Sequence, residues 1–190
     1  MILVNDLRPG STFGEDNNIY ITLDVSRNKT ARAQMNIKVK TKNLRTGVIS
    51  EKTYTNSDKV EPIFLEKRDM SFLYEDDSSY VFMDNSTYDQ EQIAKNLLDW
   101  EKNFLVENVE FKITYYQNEV VGVELPVKME LEIVECPPAV KGDTVNKATK
   151  DAVLETGLKV KVPLFIENGE VVIIKTEDGS YVSRGKKKWK

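Results

Sequence analysis

The sequence predicts an all-β protein made of several small barrels, and three observations carry that expectation. Apolar and polar residues alternate with period two in five separate stretches. Turn dipeptides containing glycine fall between those stretches. The charge balance changes sign twice along the 190 residues, near positions 64 and 127. Repeated alternation is the pattern of half-buried antiparallel strands. Units of about 60 residues fit small closed sheets better than one large sandwich.

The strands can be justified in order. Ile19, Ile21, Leu23 and Val25 are expected to share one face of the first long strand. Ile37 and Val39 alternate with Lys38 and Lys40 in the next. Val109, Phe111, Ile113 and Tyr115 alternate with Glu110, Lys112 and Thr114, and Met129, Leu131 and Ile133 with Glu130 and Glu132. Val160, Val162, Leu164 and Ile166 form the last such run. Turns are expected at Arg8-Pro9-Gly10, Thr46-Gly47, Asn168-Gly169 and Asp178-Gly179, where positive φ is tolerated. Pro126 and Cys136-Pro137-Pro138 suit strand ends. Residues 89–105 break the pattern. Ile93, Leu97, Trp100 and Phe104 recur at helical spacing, which predicts one short helix plugging a barrel, or else binding a partner.

Charge supports three units. Residues 1–64 carry net +3, residues 65–127 net −9, and residues 128–190 net +2. Within the first unit, residues 26–52 hold eight basic residues and a single acid, Glu51. Such a stripe reads equally as a footprint for a polyanion and as a solvated strand face whose lysines block edge pairing. The segment Ser26 to Ala33 has no large apolar residue, so it is expected to project as a hairpin tip bearing Arg27, Lys29 and Arg32.

The composition excludes several function classes. Histidine is absent and Cys136 is the single cysteine, so the usual general base, the usual zinc ligands and an internal disulfide are missing. The nine glycines show no phosphate-cradling spacing. Asp76-Asp77 and Glu15-Asp16 read as solvated turns rather than catalytic pairs. The expectation is a binding protein rather than an enzyme, with no metal and no cofactor. The opening MILVNDLRPG has too short an apolar run for a signal peptide, which predicts a cytoplasmic protein without membrane contact.

An ordered set of strings resembles the bacterial elongation factor P family. They are NDLRPG at 5–10, KTKNLRTG at 40–47, EKTY at 51–54, FLYEDDSSYVFMD at 72–84, GVELP at 122–126, VKGDT at 140–144 and YVSR at 181–184. The family's C-terminal pattern runs through Lys150, Ala152, Gly157, Val160, Val162, Pro163, Ile166 and Gly169. The resemblance implies a KOW-like N-terminal barrel (1–64), an acidic OB-type barrel (65–127) and a C-terminal OB-type barrel (128–190), in an L-shaped outline like that of tRNA. It implies a monomer that binds both ribosomal subunits between the peptidyl-tRNA and exit sites and relieves stalling at consecutive prolines. Catalysis would come from orienting the peptidyl-tRNA.

The resemblance also implies site residues. Many relatives carry a Lys-Pro-Gly-Lys-Gly tip whose second lysine is modified. Here the tip is Lys29, Thr30, Ala31, Arg32 and Ala33, which places Arg32 at the modified position. One branch of the family glycosylates an arginine there. A lysine-specific enzyme has no substrate at Arg32, and the sequence names no modifying enzyme. Both tip glycines are alanines here, and alanine does not adopt positive φ cheaply. Gly142, Asp143 and Thr144 match a loop approaching the exit-site codon, and Tyr181 and Arg184 match an ending near the small subunit. Lys38, Lys40, Lys42 and Arg45, with Arg27 and Lys29, are candidates to track tRNA phosphates. Lysines and Trp189 extend the chain past the usual family ending. The competing readings are an elongation-factor-P-like paralogue and a free single-stranded nucleic-acid binder built from OB-type barrels. The net −9 of the middle unit argues against the second.

Overall fold

The structure is a computed structural model, and it describes residues 1–29, 35–139 and 149–186. The first sheet holds β1 (Ile2–Leu3), β2 (Thr12–Glu15), β3 (Asn18–Lys29), β4 (Met35–Asn43), β5 (Ile49–Thr55) and β6 (Lys59–Pro62), in the order β1-β6-β2-β3-β4-β5. The second holds β7 (Glu66–Glu75), β8 (Ser79–Asp84), β9 (Gln90–Ala94), β10 (Glu110–Tyr116) and β11 (Glu119–Glu124), in the order β11-β10-β7-β8-β9. The third holds β12 (Lys128–Glu135), β13 (Thr149–Leu154), β14 (Lys159–Pro163), β15 (Val171–Lys175) and β16 (Tyr181–Arg184), in the order β14-β13-β12-β15-β16. By packing, the chain forms two compact units. One is Met1–Arg68 with Ile113–Gly122, and the other is Asp69–Lys112 with Val123–Lys190.

The first sheet closes through side chains. Its main core gathers Val4, Leu7, Phe13, Tyr20, Ile37, Val39 and Val60. Phe13 stacks on Tyr20 with ring centroids 5.6 Å apart. A second, smaller cluster of Ile19, Ile63 and Val121 means that adjacent residues Ile19 and Tyr20 bury themselves in different clusters. Glu15, at the end of β2, reaches β5, where it accepts from the Lys52 ammonium and from the Tyr54 hydroxyl. Lys52 also lies over the Tyr20 ring, 4.0 Å from its centroid. Burial, followed by the Glu15 charge, drives the Tyr54 phenol well above its ordinary value, so it stays a donor to Glu15. Glu15 is therefore a half-buried bridge, not the solvated turn residue expected from sequence.

The expected alternation on β3 is interrupted. The β3–β4 register slips between Thr22 and Asp24, a bulge that leaves Leu23 unpaired and 38% exposed. Beyond it the faces exchange, and Val25 packs on the same core as Tyr20. Two hairpin turns have positive φ at both central residues: Asp16-Asn17, where a turn was expected at Glu15-Asp16, and Gln117-Asn118, which was not foreseen. The foreseen turn at Gly47 has φ of 74° and donates its N–H to Asn43 O at 2.8 Å.

Residues 89–105 do not form the expected helix. Gln90–Ala94 is a strand paired with β8, with Ile93 opposite Tyr80. Single 3-10 turns follow at Lys95–Leu97 and Glu101–Phe104, and neither has a side-chain cap. An uncapped segment of this length gains little as an isolated helix. The sheet satisfies the backbone of 90–94 and buries Ile93 instead, and the segment of tight turns that follows still buries Leu98 and Phe104. Trp100 packs edge-on to Phe104 at 5.4 Å and donates its indole N–H to Thr176 O at 2.8 Å.

The third sheet curls until β14 and β16 approach each other. Leu131, Ile133, Ala152, Leu154, Val162, Val172 and Ile174 are buried within it. No helix among the described residues is long and apolar enough to cross a membrane.

One turn carries a pH signature. Asp76 accepts the N–H groups of Ser78 and Ser79 at 2.9 and 2.7 Å, and the Ser79 hydroxyl at 2.7 Å. These bonds, the Ser79 hydroxyl first, hold its carboxyl below the ordinary 3.8. A lowered folded-state value stabilises the protein above the unfolded-state value, and that contribution is lost as pH falls through the folded value. Below pH 3.8 the native protein is therefore expected to lose stability faster than Asp76→Asn. Parallel loss in denaturant titrations of the two proteins at stepped pH would show that these bonds add nothing.

Candidate nucleic-acid interface

The most prominent basic feature is the β3–β4 hairpin. Its paired arms run through Val25↔Val39, Ser26↔Lys38, Arg27↔Ile37 and Asn28↔Asn36 to Lys29↔Met35. The arms are longer than the sequence suggested, since residues 26–29 are strand and not loop. They flank positions 30–34. Thr30, Ala31, Arg32 and Ala33 lie outside the described residues, as do Gly142, Asp143, Thr144 and the last four residues. Lys29 is described as the final residue of β3.

Strand β4 separates apolar and basic residues by its pleat. Ile37, Val39 and Thr41 are buried, while Lys38, Lys40 and Lys42 point to the other face. The lysine face is not purely cationic. Lys38 pairs with Glu51 at 2.9 Å, with both side chains about half exposed. Lys40 lies in register between Asp24 on β3 and Glu51 on β5. Lys42 lies between Ile21 and Ile49. Lys40 and Lys42 make no ion pair among the described residues. An exposed pair such as Lys38–Glu51 is worth about 0–1 kcal/mol, so an incoming phosphate can displace it. The contribution of Asp24 was missed in the sequence because the acid lies just outside the basic stretch. Only the strand register brings it beside Lys40.

Two of the candidate arginines bond to the protein itself. Arg45 donates to Asn17 O at 2.7 Å and to Glu119 Oε2 at 3.1 Å. Its own N–H and that of Thr46 donate to the Asn43 side chain. Arg45 thus ties the Asn43–Gly47 turn to two other turns of the same unit. Arg27 donates from Nε to Asn5 Oδ1 at 3.3 Å and from Nη2 to Asn5 O at 3.0 Å and Leu7 O at 3.2 Å.

In the third sheet, Tyr181 is half-buried opposite Ile174. Arg184, opposite Val172, donates to Phe165 O at 3.2 Å, pairs with Glu170 at 3.3 Å and lies over the Phe165 ring at 4.7 Å. These two residues sit on one strand, β16. Lys150 of the C-terminal pattern is buried and donates to Pro137 O at 2.7 Å.

The sequence finds direct counterparts among known proteins. Three family profiles match in succession. They are the Elongation factor P (EF-P) KOW-like domain over residues 3–60, the Elongation factor P (EF-P) OB domain over 65–123, and Elongation factor P, C-terminal, over 129–184. Elongation factor P of Mycoplasma mycoides is 48% identical over 181 residues, which cover 95% of this chain and 98% of that protein. Elongation factor P of Mesomycoplasma hyopneumoniae strain 7448 is 49% identical over 185 residues, or 97% of this chain and 100% of that one. Among solved structures, a eukaryotic translation initiation factor 5A from Methanococcus jannaschii superposes with a TM-score of 0.49 at 20% identity, over 65% of this chain and 89% of that one. The all-β fold is thus a KOW-like unit followed by OB-type units. On the strength of profiles that span nearly its whole length and of near-full-length relatives at almost half identity, the chain belongs to the elongation factor P family.

Proposed function

We propose that this chain is a cytoplasmic translation factor that binds both ribosomal subunits between the peptidyl-tRNA and exit sites. There it accelerates peptide-bond formation at consecutive prolines. It acts as a monomer with three domains, 1–64, 65–127 and 128–190, and it is not an enzyme. The observation that carries this reading is the near-full-length likeness to elongation factors P, together with a paired hairpin whose two arms flank Arg32. In this reading, positions 30–34 approach the peptidyl-transferase centre. Lys40 and Lys42, which lack ion-pair partners among the described residues, face tRNA phosphates. The Gly142-Asp143-Thr144 segment and β16 serve the small-subunit side. Orientation of a poor nucleophile such as proline supplies the rate, because holding reactants in line removes an entropic barrier. No general base from the factor is required, which suits a chain without histidine.

Occupancy of that place has a direct test. The protein should bind ribosomes that hold peptidyl-tRNA with the exit site empty, and deacylated tRNA in the exit site should compete with it. Binding should weaken as salt rises, since phosphate contacts release counterions. Binding indifferent to exit-site tRNA would remove the assignment.

A further inference from the structure

We infer that Arg27 is a positioning residue. It clamps the β3–β4 arm to the Val4–Asp6 turn and so sets the direction in which positions 30–34 are presented. It does not itself contact RNA. The inference rests on the proposed role of those positions as the functional tip.

The argument begins with the bulge. Without the slip at Thr22/Asp24, Arg27 would lie on the face of Lys38 and Lys40. With it, Arg27 shares the face of Val25 and lies opposite buried Ile37, at the end of the main core. Its guanidinium then reaches the turn whose residues Val4 and Leu7 belong to that core. Nη2 donates to both Asn5 O and Leu7 O, and Nε donates to Asn5 Oδ1. A guanidinium grips a phosphate through one of two forks, Nε with Nη2 or Nη1 with Nη2. Both forks need Nη2, which already donates to two backbone carbonyls. The geometry therefore leaves no fork for bidentate phosphate binding. Lysine cannot replace this arrangement, because an ammonium is a point donor without a planar fork.

Arg27 is also well placed to act at a distance. Beyond it only Asn28 and Lys29 remain on β3, facing Asn36 and Met35 on β4. The flanking strand β5 ends opposite Asn36, at Thr55. Met35 packs against the edge of the main core, and among the described side chains Arg27 makes the last hydrogen bonds that tie the arm to the body before the tip. Angular freedom at Arg27 passes to the strand ends at Lys29 and Met35, and loss of orientation lowers the rate more than it lowers affinity.

The test titrates wild-type protein, Arg27→Ala, Arg27→Lys and the Asn5→Ala/Arg27→Ala pair against ribosomes translating a proline-run message. Melting temperature and amide hydrogen exchange are followed in parallel. For Arg27→Ala, the clamp predicts that rescue at saturating factor falls by about tenfold, the scale of losing bonds from a charged donor, while half-saturation shifts less than about twofold. Arg27→Lys should remain close to Arg27→Ala, and the pair should be no worse than Arg27→Ala alone. Exchange at residues 26–29 and 35–37 should speed up by about tenfold while the cores stay protected. A direct RNA contact gives the opposite result and overturns the inference: half-saturation rises, its salt dependence flattens, and lysine restores function. Unchanged exchange in the arms also overturns it. If wild-type protein gives no rescue, the functional reading fails, and the exchange measurement still decides the clamp.

Discussion

Arg32→Ala is expected to remove most of the factor's effect on proline runs and to leave its melting transition unchanged. Arg32 lies between paired ends at Lys29 and Met35, and the sequence of positions 30–34, Thr-Ala-Arg-Ala-Gln, holds no large apolar residue. Truncation there should therefore cost the fold nothing measurable. A charge-assisted hydrogen bond is worth about 1.5–3 kcal/mol, which corresponds to roughly ten- to a hundredfold in rate if it is made at the reacting complex. Arg32→Lys should recover part of this, because it keeps the charge and loses the planar fork. Rates of peptide-bond formation on a proline-run message, with a proline-free message as control, check the prediction. Full activity of Arg32→Ala at limiting concentration would contradict it.

Phe82→Ala should have the largest effect on stability. Phe82 is fully buried on β8, the strand between β7 and β9. Its ring lies 5.4 Å from Phe72 and 6.4 Å from Phe111, so it joins three strands of the second sheet. Buried Phe→Ala changes cost about 3–5 kcal/mol, because the cavity adds to the lost transfer energy. Most of a small unit's stability would disappear, and activity at growth temperature would fall with it. Denaturant unfolding of Phe82→Ala beside Phe82→Leu measures the effect. A loss below about 1 kcal/mol for alanine would mean that the ring is not a keystone of that sheet.

How much could be read from sequence depended on how local the determining contact was. Strands whose alternation is uninterrupted, such as β4 and β12, were legible because the pleat alone decides which side chains are buried. The faces of β3 were not, because the Leu23 bulge exists only against β4. Nor was the fate of residues 89–105. Spacings of three and four residues are met by a strand followed by 3-10 turns as well as by a helix, and pairing with β8 decides between them. The same rule holds for the candidate interface. The lysines of β4 were legible as one face, but Asp24 beside Lys40 required the register. Arg27 and Arg45 were legible as cations, yet their partners Asn5 and Glu119 lie 22 and 74 residues away in sequence. Charge counting finds basic residues, and tertiary contacts decide which of them remain free to meet a ligand.

The central claim is that this chain accelerates peptide-bond formation where prolines follow one another. The most direct measurement is reconstituted translation of a reporter with three consecutive prolines, against a proline-free reporter. It compares no factor, unmodified protein, and protein from its native cells. The account predicts selective rescue of the proline reporter. Equal rescue by both preparations would show that Arg32 acts unmodified, whereas rescue by the native preparation alone would locate a modification for mass spectrometry to identify. Failure of both preparations to speed the proline reporter, on ribosomes that translate the control normally, would contradict the account.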